Sequence, residues 1–288
     1  MEKINIHSFK VKLIISMMLI FLIPILTISI VIDMQMKSQL ERDFIKSTTN
    51  EISQVDTTIT TFFDDIKENV QLLSINETLE KADETIANYL NNPSDDTNMT
   101  PSTNGGIETQ IYNEFEKIAK THLKYRYVWM AGEKGTYIQY PESTITKNYD
   151  PRQQIFYTTG VSNKGNVMVT DPYYYEADKI FVVSVVSSFN DLNNQLAGVA
   201  GIDVGLNGMT DLIKEMKIGK SGYVILTDAY GVIMAHPTNS ELNSKNISEL
   251  KIKGIEDITK LTKNDFDTIV DGKASLVNVY SSEKTGWK

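Results

Sequence analysis

An aspartate interrupts the apolar run "VAGIDV" at residues 199–204. An ionised carboxylate inside a strand is costly to bury unless a partner meets it. Asp203 therefore has two open roles: capping a helix that begins near Asn207, or facing a cationic group on a ligand. Aromatic residues gather on the strands that could lie beside it. Tyr125, Tyr127 and Trp129 alternate along "YRYVWMAG" and so share a face, while Tyr137 and Tyr140 belong to the next strand. The stretch "NYDPRQQIFYTTG", residues 148–160, places Tyr149, Arg152, Phe156 and Tyr157 around the Asp150-Pro151 bend, and Asp171 stands in "TDPYYY". Carboxylates among π faces hold a cation. The chemistry these residues offer is binding.

Catalytic patterns are missing. Gly219-Lys220-Ser221 has the ending of a phosphate-binding loop, but Lys214 stands where that loop needs glycine. No G-x-S-x-G occurs. His7, His122 and His236 are far apart and show no metal spacing, and His236 in "AHP" suits a structural hydrogen bond. Absence of cysteine removes thiolate chemistry, disulfides and Cys-based zinc sites. A net charge of −9 argues against nucleic acid as a partner. No enzyme and no cofactor is expected.

The elements that must position these residues begin at a membrane. Leu13 to Ile32 form an uncharged, mostly apolar run, which at about 1.5 Å per residue reaches roughly 30 Å, the thickness of the hydrocarbon core. Lys3, Lys10 and Lys12 precede it and Asp33, Glu41 and Asp43 follow. The positive-inside rule puts residues 1–12 in the cytoplasm and the rest outside. A cleaved signal peptide is the competing reading, but its small-residue cleavage site is missing from the bulky "ISIVIDMQM".

Residues 33–90 are expected as one long helix. Ile52, Val55, Ile59, Phe62, Ile66, Val70 and Leu73 make a stripe at spacings of three and four, suited to packing on its own domain, to a second copy in a homodimer, or to both. A loop at 92–106 and an amphipathic helix from Ile107 to Leu123 lead into strands "YRYVWMAG", "TYIQYP", "NVMVTDPYYY", "KIFVVSVVSSF" and "LAGVAGIDVGL". After a helix near Asn207–Met216, "GKSGYVILTDAYGVIMAHP" echoes "YVWMAGEKGTYIQYP". The expected class is α+β, with two antiparallel-sheet modules in tandem, 91–205 and 206–288. The ending "EKTGWK" reads as the approach to a strand, as in a piece of a longer protein.

Taken together, the membrane-exiting helix, "YDPRxxxxY", "TDPY", "AGVAGIDV" and "GKSGYVILTDAYGVIMAHP" resemble the double Cache sensor domains of bacterial chemoreceptors and sensor kinases. That resemblance implies PAS-like modules, a ligand in the membrane-distal one, and cytoplasmic signalling partners reached through a region that this chain lacks. It also implies a binding signature. Its tyrosines match Tyr149 and Tyr157, the aspartate that holds an amino group matches Asp203, and the "TDPY" aspartate matches Asp171. The arginine that clamps a carboxylate falls on Gln154 and the tryptophan on Phe156; Arg152 is not the clamp. Gln154 cannot make the bidentate, charge-assisted pair that arginine gives. The expected ligand is therefore a small amine or an amino-acid-like solute, held by these residues with Tyr127 and Trp129. The expected output is chemotaxis signalling. A histidine kinase or cyclic-dinucleotide enzyme is the alternative, and a ligand-free surface assembly module a further one.

Overall fold

A computed structural model describes residues 9–216, 218–219, 221–261, 265–270 and 272–288, with the backbone alone at residues 10, 11, 14 and 15. His7, Lys220 of the Gly-Lys-Ser sequence and most of the expected 1–12 segment lie outside that set. The chain divides into two units, Met1–Glu51 and Ile52–Lys288.

Helix α1, Phe9–Ser74, supplies the whole described part of the first unit. Its apolar stretch is long and hydrophobic enough to cross a membrane by length and composition, with a mean hydropathy of 2.5 and no burial within the protein. Ile20, Phe21, Ile25 and Ile28 are all exposed.

In the second unit α1 runs on from Ile52 and stops at Ser74, short of the expected Leu90. The sequence after it favours turns. The Asn76 amide donates to the Leu73 carbonyl, and the Asn76 side chain accepts from the Thr78 amide at 2.8 Å, a local bond that competes with helix. The apolar stripe is consumed within the domain: Val55, Ile59, Phe63, Ile66, Val70 and Leu73 are buried. Phe63 takes the buried position expected of Phe62, which is half-buried at the edge of the core.

The remaining helices are α2 (Gly106–Thr121), α3 (Ile155–Ser162) and α4 (Leu206–Lys214). The strands are β1 (Thr97–Asn98), β2 (Tyr127–Gly132), β3 (Tyr137–Tyr140), β4 (Thr144–Ile145), β5 (Met168–Val169), β6 (Tyr173–Tyr175), β7 (Ile180–Asn190), β8 (Leu196–Gly205), β9 (Leu226–Thr227), β10 (Ile233–Ala235), β11 (Asp265–Val270) and β12 (Lys273–Asn278). The main antiparallel sheet has the order β3-β2-β8-β7-β5, with β6 also on β7. "NVMVTDPYYY" is thus two strands where one was expected. Pro172 has no amide to give the ladder, so pairing lapses between Val169↔Val185 and Tyr173↔Val182.

β2, β7 and β8 are buried on both faces, which is why their sequences read as nearly continuous apolar runs. One face carries Val128, Met130, Val183, Val185, Ala200 and Ile202 against α1 and against Ile111 and Phe115 of α2. The other face carries the aromatic cluster described below.

Beyond α4 the strands form two small antiparallel pairs, β9 with β10 and β11 with β12. Asp228 holds the β9–β10 turn by accepting from the Tyr230 and Val232 amides at 2.9 and 2.8 Å. The strand approach expected at "TGWK" is formed: Thr227 and Lys288 exchange backbone bonds of 2.7 and 2.9 Å. Trp287 packs edge-on against Phe63, 4.9 Å between ring centroids.

Candidate functional site

Side chains alternate across a strand, so every second residue of β2, β3, β7 and β8 meets the same neighbours. Cross-strand pairing sets Trp129 opposite both Gln139 and Gly201, and Asp203 opposite both Tyr127 and Ser184. Gly201 is required there. A Cβ on it would lie 2.4 Å from the Trp129 ring, so the indole lies over β8 only because no side chain stands beneath it. Gly160 likewise lets α3 approach β8, since a Cβ would meet the Val199 side chain at 2.6 Å. That approach puts Phe156 on Trp129, with centroids 4.4 Å apart, and within 6.4 Å of the Tyr137 ring.

Asp203 lies at the centre, 2% exposed. Its Oδ1 accepts from Trp129 Nε1 at 2.7 Å and from Ser184 Oγ at 2.6 Å. Ser184 Oγ also meets the Tyr173 hydroxyl at 2.8 Å. Oδ2 has no protein donor among the described residues. Burial pushes the carboxyl up to about 7 against the two hydrogen bonds, and no cationic side chain acts on it. Its charge in turn raises the phenols of Tyr137, Tyr149, Tyr173 and Tyr175, beyond what burial alone does. Tyr149, also buried, has a hydroxyl with no partner at full hydrogen-bond geometry, although the neighbouring Tyr137 phenol eases its ionisation against burial. The Tyr149 hydroxyl and the second oxygen of Asp203 are thus buried polar groups not fully satisfied within the protein, both beside aromatic rings.

A second set of contacts lies at the end of β2. Asp178, in the β6–β7 turn, accepts from Arg126 at 2.6 Å, from Ser143 at 2.8 Å and from the Tyr127 hydroxyl. Burial works against its charge, but these bonds outweigh it and hold the carboxyl below its ordinary value. The Arg126 guanidinium lies 4.9 Å from the Tyr127 ring centroid.

Of the residues predicted from sequence, Tyr127, Trp129, Tyr149, Phe156 and Tyr157 share one cluster, and Asp203 lies among them through Trp129. Asp203 does not cap α4, whose N-cap is Gly205 without a side-chain bond. Tyr157 sits at the edge, where burial and Glu133 raise its phenol while Arg152 lowers it. Gln154 is half-buried at the N-cap of α3, where its carbonyl accepts from Tyr157 and Thr158; its side chain has no hydrogen bond among the described residues. Asp171 is exposed and acts on Asp228, so it is not gathered with Asp203. Arg152 is held by Asp150 through two bonds of 2.8 Å. The Asn239 amide donates to His236 Nδ1 at 3.1 Å, the structural bond expected of that residue. Among the described residues no group of His, Asp or Glu could hold a metal.

Gln139, Tyr173, Tyr175 and Ser184 were not among the predicted residues. Their signal is alternation: Gln139 is two residues from Tyr137, Tyr175 two from Tyr173, and Ser184 is the polar position within "FVVSVV".

The methyl-accepting chemotaxis protein McpA of Bacillus subtilis is 23% identical over 288 residues, all of this chain and 39% of that protein. The chain thus spans about two fifths of that relative's length. The ligand-binding domain of the Pseudomonas fluorescens chemoreceptor CtaA, solved with L-isoleucine, matches with a TM-score of 0.60 and 18% identity, over 88% of this chain and 92% of that one. The domain of the Pseudomonas aeruginosa receptor PctC, solved with GABA, matches with a TM-score of 0.56 and 18% identity, over 83% and 92%. At such identities these structures show a shared fold. The family model described as Cache domain matches residues 32–288, and the chain belongs to that family, double Cache.

Proposed function

We propose that this chain is the sensing region of a chemoreceptor and that it binds a small amine at Asp203. The reading rests on one observation: a buried carboxylate with an unused oxygen, inside aromatic walls, with no cationic side chain acting on it. Both nearby guanidinium groups are engaged, Arg126 by Asp178 and Arg152 by Asp150. An alkylammonium would supply the missing charge and reach the Tyr149 hydroxyl, while the rings take its carbon chain. The ligands solved with CtaA and PctC both carry an ammonium group, which agrees with this half of the site. They also carry a carboxylate, and that favours an amino acid as the second reading.

The site belongs to the module at 91–205, proposed as membrane-distal, with 206–288 next to the membrane. The McpA relative supports chemotaxis output, carried by a region beyond this chain. α1 anchors the chain, its sensor lies outside the cell, and α1 also pairs with a second copy.

Calorimetric titration of the chain with alkylamines, and with the amino acids of the same skeletons, tests the ligand. Amines should bind more tightly. Asp203→Asn should cost on the order of 1.5–3 kcal/mol of binding, as for a hydrogen bond to a charged group. Tight binding of amino acids with no response to amines would reject the amine.

A further inference from the structure

The hydrogen-bond polarity of the site has a specific origin. Gln139 is fully buried on β3, and its side-chain amide has a single orientation. The Pro141 carbonyl can only accept, so the Gln139 group 3.2 Å from it is Nε2. Oε1 therefore faces the hydroxyls of Tyr137 and Tyr175, at 3.0 and 2.9 Å, and accepts from both. Each phenol has one proton, and both protons are spent on Gln139. The same accounting holds beside Asp203. With that carboxyl ionised, Ser184 spends its proton on Oδ1, so Tyr173 donates to Ser184. Trp129 spends its N–H on Oδ1 as well. Among the described residues the side-chain donors of this network left without an acceptor are the Tyr149 hydroxyl and the second N–H of Gln139 Nε2. What Tyr137, Tyr175 and Asp203 still offer is lone pairs.

We infer that Gln139 determines the specificity of this site: by taking the protons of Tyr137 and Tyr175 it turns their oxygens into acceptors, selecting ammonium ligands over carboxylates. This rests on the amine reading above and assigns its selectivity to a residue that does not carry the charge. With an apolar side chain at 139, the two phenols would turn their protons toward the ligand. The same cluster would then present two donors suited to a carboxylate.

The test is the ratio of affinities for alkylamines of two to six carbons and for carboxylates of the same skeletons, measured by calorimetry on the full chain. Wild type should prefer amines. Gln139→Met, of similar size, should lower the amine-to-carboxylate ratio at least tenfold, with carboxylate binding improved in absolute terms. Gln139→Glu keeps an acceptor for both phenols and should retain the amine preference; a loss of that preference there would overturn the inference. Should Gln139→Met not fold, Tyr175→Phe removes one acceptor oxygen and must weaken amines without helping carboxylates; an unchanged amine affinity there would overturn the inference. A wild type that prefers amines, with an unchanged ratio in Gln139→Met, overturns the role of Gln139 and leaves the amine reading standing. A wild type that prefers carboxylates, or binds neither series, overturns both.

Discussion

At Asp203 binding and stability are opposed. Its carboxyl titrates near 7 in the folded chain because burial penalises the charge, whereas an unfolded aspartate titrates at about 3.9. Between those values the folded state binds more protons than the unfolded state. Stability from this group is therefore full below about pH 4 and is lost as pH rises through about 7. Each pH unit between the two midpoints is worth about 1.36 kcal/mol, so over about three units the loss amounts to roughly 4 kcal/mol. Urea denaturation of the unliganded protein should show this decline between about pH 4 and pH 7. Asp203→Asn should flatten the profile and be the more stable protein at pH 8 while losing amine binding. A wild-type profile as flat as that of Asp203→Asn would mean that the carboxylate is already ionised and solvated. Such a trade is the usual mark of a group retained for function.

Among the elements, β8 works through what it lacks. Gly201 leaves room for the Trp129 ring, whose Nε1 then reaches Asp203 two residues along the same strand. Gly201→Ala would put a methyl 2.4 Å from that ring. The expected cost is about 1–3 kcal/mol of stability, typical of an overpacked core, with ligand affinity falling as the indole turns away from the carboxylate. Tryptophan fluorescence and calorimetry together check this: an unchanged emission spectrum with unchanged affinity would mean that the strands shift and the indole keeps its place. α3 depends on a similar close approach at Gly160, so the aromatic stack is governed by glycine positions as much as by the aromatic residues themselves.

For the molecule as a whole, burial of Val55, Ile59, Phe63, Ile66, Val70 and Leu73 decides which face of α1 is free. That stripe packs on its own domain, so it is not available to a second copy. The exposed residues Gln54, Thr58, Thr61, Asp65, Glu68 and Leu72 recur at alternating spacings of four and three, the period of a two-helix seam. Being mostly polar, that seam would join copies weakly. Replacing Thr58 and Thr61 with arginine should lower the dimer fraction in sedimentation equilibrium without changing thermal stability, because like charges would face each other across the seam. Replacing Val55 and Ile59 with aspartate should unfold the domain. A dimer that survives the arginine pair lies on another surface.

Local physics was legible in the sequence wherever one periodicity acted alone. The apolar run at 13–32, the hairpins at 176–179 and 190–195, and the alternation of Tyr127 with Trp129 all follow from spacing and turn chemistry, and all appear in the structure. Asp203 was legible too, because a charge within an apolar strand has few inexpensive explanations. Other features needed the third dimension. The sequence equates Asp171 with Asp203 as acids beside aromatics, yet Pro172 breaks the strand and leaves Asp171 in solvent. Gln154 follows the bend by motif, while Gln139, with no motif, meets the Tyr137 phenol two residues along its own strand and the Tyr175 phenol from a distant one. Which protons are spent and which remain depends on partners dozens of residues away, and only folding brings those partners together.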